Sequence, residues 1–259
     1  MPSEVLYAVD GGVAVITLNA PERRNALTPA MADEMVAAFD AADMDQRVGA
    51  VVIKGAGGSF CAGAARGETN KMFSDPLDEA VYNGTSHIYE SFFRAGHLKA
   101  PVIAAIRGAA VGAGMNLVLA ADVRIVADNA RLLSGFFRLG VHPGGGHMML
   151  LAEASTPDAA SAMAVFGEEI DGTRAQQLGL AWVSLPDDQV EEKAMAMARY
   201  AAADPELSRS IIRTMRLTGG RKGTDWGIAL QAERAAQLWA MRRAGRKHEA
   251  VDAGKGTAE

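Results

Sequence analysis

Two runs of small residues about fifty positions apart carry the pattern with the clearest chemical meaning: Gly57-Gly58-Ser59-Phe60-Cys61-Ala62-Gly63-Ala64 and Gly108-Ala109-Ala110-Val111-Gly112-Ala113-Gly114-Met115-Asn116. Each follows an apolar run that reads as a strand, Ala50–Ile53 and Val102–Ile106. Residues this small let a ligand reach bare backbone. Two such turns can aim two N–H groups at one oxygen, which stabilises a developing oxyanion without any ionisable side chain.

The elements that must position these turns follow from pattern. Val13–Leu18 reads as a strand and residues 19–25 as a loop. Thr28 followed by Pro29 starts a helix, because Thr caps and Pro fits the first helical position. Met31, Met35, Phe39 and Ala42 continue it at helical spacing. Residues 66–73 have a poor pattern and are expected to be a mobile loop. A helix is predicted over 77–94, then the strand at 102–106, the second turn, a helix over 113–121 and a strand over 122–127. Helical stretches follow near 148–153, 157–166, 174–178 and 189–203. This alternation argues for an α/β fold with parallel pairing. After Asp204-Pro205 the chain reads as helices only, with Arg209, Arg213, Arg216, Arg221, Arg234, Arg242, Arg243 and Arg246. That stretch is either a solvated appendage or an assembly element with basic residues near an anionic ligand. The tail over 254–259 is expected to fray.

The chain has 259 residues, of which 49% are hydrophobic, enough to bury a large core. Its net charge of −5 gives no global case for a nucleic-acid partner, and a small anion needs only a local basic patch. The single cysteine, Cys61, excludes an intrachain disulfide, fits a reducing compartment and reads as a small packed side chain. No apolar stretch reaches the ~18 residues of a membrane span, and Met1-Pro2-Ser3-Glu4 lacks a signal pattern. A soluble, cytoplasmic protein is expected, with no membrane partner. No His, Cys or acidic spacing suggests a metal site, and no phosphate loop with a Lys-Ser/Thr ending occurs.

In order along residues 12–185, the segments Asn19–Leu27, Phe60–Ala64, Ala100–Gly114 and Leu139–Gly146 resemble the motifs of the enoyl-CoA hydratase/isomerase family, the crotonase superfamily. The resemblance implies an α/β core of repeated β-β-α turns wound as a spiral over residues 1–200. It also implies a helical region over 201–259 that builds homotrimers, often paired into hexamers. Carried over by position, the main-chain N–H groups of Ala64 and Ala113 would form the oxyanion hole for a thioester carbonyl. Arg23 or Arg24, Ala26 and Ala62 would meet coenzyme A, which is part of the substrate rather than a resident cofactor. Arg suits its phosphates through a planar fork of donors.

The family's hydratases use two glutamates, and here those positions are Asn116 and Phe136. An amide does not exchange a proton near neutral pH, and a phenyl ring has none to exchange. General acid–base groups are worth about 10²–10⁴ each, so hydration is expected to be slow. His142, before the glycine-rich turn, is the candidate replacement acid or base, with His147 a weaker one. His87, Tyr89 and Glu90 share a helix whose register is open. Ser134 is expected to orient a water at most, and Met72 and Phe73 either line the acyl end or pack in the core. Two functions are carried forward: an enzyme that stabilises the enolate of an acyl-CoA, and an acyl-CoA-binding protein without chemistry.

Overall fold

The computed structural model describes residues 3–218 and 226–255. Arg221 and the end of the expected frayed tail, residues 256–259, lie outside them.

The sheet grows around its most apolar segments. β3 (Ala50–Gly55) and β4 (Val102–Ile106) are almost continuously buried, as strands covered on both faces of a parallel sheet must be. β2 (Val13–Leu18) pairs parallel with β3, and β6 (Val123–Ala127) pairs parallel with β4. β9 (Val183–Leu185) closes the far edge in parallel. β1 (Val5–Asp10), which the pattern missed, pairs antiparallel with β2 at the near edge. Only its first residue is buried, although Leu6, Tyr7 and Val9 are apolar as well. The order is β1-β2-β3-β4-β6-β9. A second, three-stranded sheet joins β5 (Ala109–Val111), β7 (Arg131–Leu133) and β8 (Glu169–Ile170).

Helices cover both faces. α1 (Pro29–Met44) starts where expected, with the Met31 N–H donating to the Thr28 hydroxyl oxygen at 3.1 Å. α3 (Glu79–Gly96) packs on α1 and is capped by the Asp78 carboxylate, which accepts from Ala80 and Val81. α4 (Ala113–Ala120) packs on α3, and α8 (Val190–Ala202) lies across β3, β4 and β6. α8 runs through residue 200 and ends at Ala202. α5 (His147–Ala154), α6 (Pro157–Ala164) and α7 (Gly172–Gln177) follow the second turn's sheet.

One expectation fails. Residues 66–74 are not a loop but a helix, α2 (Arg66–Ser74), in which Met72 is the only buried residue. It is held by packing on the long final helix α10 (Trp226–Lys255), where a Cβ on Gly245 would stand 2.0 Å from the Phe73 carbonyl oxygen. Tertiary contact, not local periodicity, makes it helical.

α9 (Pro205–Thr218) and α10 are helical as expected, but several of their arginines serve the fold. The Arg209 guanidinium donates to the carbonyls of Ala42, Asp43, Asp45 and Val48 and closes the end of α1. Arg216 pairs with Asp122 at 2.6 Å and donates to Leu98 O. Arg234 lies 3.7 Å over the Tyr82 ring and donates to Ser86 Oγ at 2.6 Å, which ties α10 to α3.

Candidate functional site

β3 and β4 deliver the two small-residue turns to the same end of the sheet, outside the carboxyl ends of its strands, where open α/β sheets bind ligands. Cys61 N–H donates to Ala109 O and Val111 N–H to Cys61 O, both at 3.0 Å, so the first turn adds itself to the edge of β5. The turns touch backbone to backbone, and this contact is what requires glycine. A Cβ on Gly114 would stand 2.3 Å from Cys61 O, and one on Gly63 would stand 2.8 Å from Val111 O. The first turn is further held by Asn25, buried at φ 55, whose amide donates to Ala56 O and Ser59 O while its oxygen accepts from Ala20 N–H.

This packing decides where the amides point. Leu27 N–H donates to Gly63 O and Ala65 N–H to Leu27 O, so the N–H of Ala64 faces the opposite side. Ala113 is the first residue of α4, and its N–H lies ahead of the intrahelical ladder. Among the described residues no hydrogen bond takes either N–H. Both residues line one cavity of about 110 Å³. Its other walls are largely apolar, with Met72 and Phe73 of α2, Ile88 of α3, Phe136 and Val141 of the following loop, and Met241 of α10. Its side chains with polar hydrogens are Thr69, Thr85, Tyr89 and Gln237.

The other expected site residues divide. Ala62 and Phe136 line the cavity. Ala26 is buried, and its carbonyl accepts from Arg23 Nε at 2.9 Å. Arg23 also pairs with Glu4 at 2.5 Å, whereas Arg24 is exposed on the same loop. His142 is not among the lining residues, and its Nδ1 lies 2.6 Å from Pro143 O. Burial pushes the Cys61 thiol up to about 12, which keeps it a neutral packed group.

Asn116 is buried and fully engaged. Its Nδ2 donates to Gly144 O at 2.8 Å, which fixes the amide's orientation. Its Oδ1 must then accept from His147 Nδ1–H, at 2.6 Å, and His147 Nε2 accepts from the Ser134 hydroxyl at 2.7 Å. Burial drives His147 down to about 3, so the imidazole is neutral at working pH. The Glu233 carboxylate, from α10, accepts from the N–H groups of His147 and Met148 at 2.8 and 2.9 Å at the start of α5. Burial raises its pKa against the pull of those donors. Sequence reasoning had no access to this cluster, because its members are separated by 13, 31 and 86 positions.

Known proteins with similar sequences and folds agree on one grouping. The family model described as Enoyl-CoA hydratase/isomerase matches residues 8–222. The chain is 41% identical over 221 residues to "Probable enoyl-CoA hydratase EchA14" of Mycobacterium tuberculosis, covering 85% of this chain and 84% of that protein. It is 30% identical over 214 residues to 1,2-epoxyphenylacetyl-CoA isomerase of Escherichia coli, covering 81% and 80%. Among solved structures, an enoyl-CoA hydratase/isomerase from Mycobacterium paratuberculosis superposes with a TM-score of 0.82 at 26% identity, covering 95% of this chain and 99% of that one.

Proposed function

Because the chain belongs to the enoyl-CoA hydratase/isomerase family, we propose that it acts on an acyl-CoA thioester by stabilising the enolate between the main-chain N–H groups of Ala64 and Ala113. One observation carries this reading: two amides with no partner among the described residues line the same apolar cavity. Negative charge that develops on the thioester oxygen would meet two fixed donors, one of them at a helix N-terminus. Arg24 and the Ala62 backbone are the proposed contacts for coenzyme A, with Arg23 held beside them by Glu4. The exposed apolar row Leu207, Ile211 and Met215 on α9 supports assembly of copies into trimers or hexamers.

Hydration of an enoyl-CoA is expected to be slow. It needs a group that takes a proton from water, and no carboxylate, imidazole or amine occurs among the cavity's described lining residues. That observation also favours a second reading, a protein that binds acyl-CoA without turning it over.

Calorimetry with butyryl-CoA, run beside loss of the enoyl absorbance of crotonyl-CoA, tests both readings. The expected result is binding with little hydration. Failure to bind any of a panel of acyl-CoAs would remove both, and rapid hydration would overturn the expectation of a weak acid–base site.

A further inference from the structure

The structure settles the register that pattern left open on α3. His87 is exposed and lies 2.9 Å from Asp33, and Glu90 is exposed, while Tyr89 is buried. The Tyr89 phenol donates to Gln237 Oε1 of α10. One turn earlier on α10, Arg234 is only 9% exposed and lies over the Tyr82 ring, with the Tyr89 ring centre 5.6 Å from its Cζ. Its Nη2 is spent on Tyr82 O and Ser86 Oγ. Its Nε and Nη1 donate to nothing among the described residues, and no described carboxylate pairs with it. The neighbouring Glu233 carboxylate is committed to the N–H groups at the start of α5.

A buried guanidinium without a counter-ion is costly, because aromatic faces and neutral oxygens recover only part of its lost hydration. Arg234 lines a small chamber beside the main cavity, with about 10 Å³ of free space, room for one water-sized sphere. Met72, Thr85, Gln237 and Met241 line both spaces and form the partition between them. No carboxylate occurs among the chamber's described lining residues. The Thr85 hydroxyl already donates to Val81 O, whereas Gln237 Nε2 has no acceptor among the described residues. The unused polar groups of the lining are therefore donors, one of them cationic. The two methionines of the partition are unbranched and adapt to a guest slightly larger than water.

From this geometry we infer that the chamber binds a small monoanion, held by the unused N–H groups of Arg234, with Gln237 Nε2 as a neutral donor in the same lining. Hydrogen bonds from a guanidinium to an anion are among the strong ones, and a desolvated cation has the most to gain from them. One chemistry has two sources here. The anion is either a free halide or formate from solution, or a carboxylate at the far end of an acyl chain that passes between Met72 and Met241. The site itself stands apart from the acyl-CoA reading, and only the second source rests on that reading.

The test compares the full chain in sodium chloride, bromide, formate and gluconate at matched ionic strength, gluconate being too bulky for the chamber. The three small anions should raise the thermal midpoint in a saturable way, and gluconate should not. Crystals grown in bromide should show an anomalous peak within hydrogen-bond distance of the Arg234 guanidinium. Arg234→Met should abolish the saturable response, and Arg234→Lys, which keeps the charge, should retain part of it. Calorimetry with butyryl-CoA and glutaryl-CoA, whose chain ends in a carboxylate, separates the sources. Glutaryl-CoA that competes with bromide and binds about ten- to hundred-fold tighter than butyryl-CoA identifies the acyl carboxylate. Equal affinities beside a bound bromide identify the free anion. A chamber without bromide, with glutaryl-CoA bound no tighter than butyryl-CoA, would overturn the inference. So would an equal response of Arg234→Met and the parent chain, which would move the anion effect to another cationic surface, such as the cleft of Lys99 and Arg213 beside α9. Failure of both CoA esters to bind would remove the acyl-CoA reading and leave the anion site to the bromide result.

Discussion

Phe136 separates two regions that handle polarity in opposite ways. Its ring lines the cavity on one side and meets the His147 ring, 5.0 Å away and edge-on, on the other. In the cavity, Ala64 and Ala113 supply only main-chain dipoles from between apolar side chains. Behind Phe136, Ser134, His147 and Asn116 form a chain in which every nitrogen and oxygen described has a partner. Groups capable of proton chemistry are thus fixed in a structural role, holding the loop over 134–147 against α4. The cavity side keeps the main-chain donors of Ala64 and Ala113, which do not titrate. Buried polar groups are safe when fully paired, and fixed dipoles are strongest where water is scarce.

The largest effect should come from breaking the contact that aligns the two amides. Gly114→Ala places a methyl group 2.3 Å from Cys61 O and forces the turns apart. We expect about 1–3 kcal/mol of lost stability in urea unfolding and about 10²–10³ in any enolate-forming turnover. Retention of full turnover would mean that the paired amides are not what the cavity contributes.

An intermediate effect should come from the far side of Phe136. His147→Phe leaves Asn116 Oδ1 and the Ser134 hydroxyl buried without their partner and should cost about 2–5 kcal/mol. The same residue contributes to the acid limb of stability. Unfolded, its imidazole takes a proton near 6.5, while folded it resists until about 3. The unfolded state binds more protons across that window, so stability falls as pH drops, by about 1.4 kcal/mol per pH unit from this group. Glu233, which faces His147 from α10 with a raised pKa, contributes with the opposite sign. Urea unfolding between pH 7 and pH 4 should therefore show a shallower slope in His147→Phe, and an unchanged slope would shift the acid sensitivity elsewhere.

The smallest effect should be at His142, which does not line the cavity. His142→Ala should leave butyryl-CoA affinity unchanged and stability within about 0.5 kcal/mol. A large drop in turnover would restore it as an acid or base.

What sequence could reveal followed the range of each signal. Thr28-Pro29 and the two glycine-rich turns are local devices, and they mark the start of α1 and two walls of the cavity within a few residues. α2 escaped because Arg66–Ser74 has no apolar stripe and is held by packing on α10 and α3. The Tyr89–Gln237 pair spans 148 positions, and no periodicity announces a partner at that distance. His142 stood out by type and neighbourhood, yet side-chain direction placed His147, five residues later, in the polar cluster instead.

α10 contributes Gln237 and Met241 to the cavity, Glu233 to the start of α5, and Gly245 to the seat of α2. A single rod therefore sets the depth of the cavity, the aim of the phenol and the anchorage of the adjoining loop. Any force that slides or lifts this rod must alter all three together, while the six-stranded sheet beneath stays as it was.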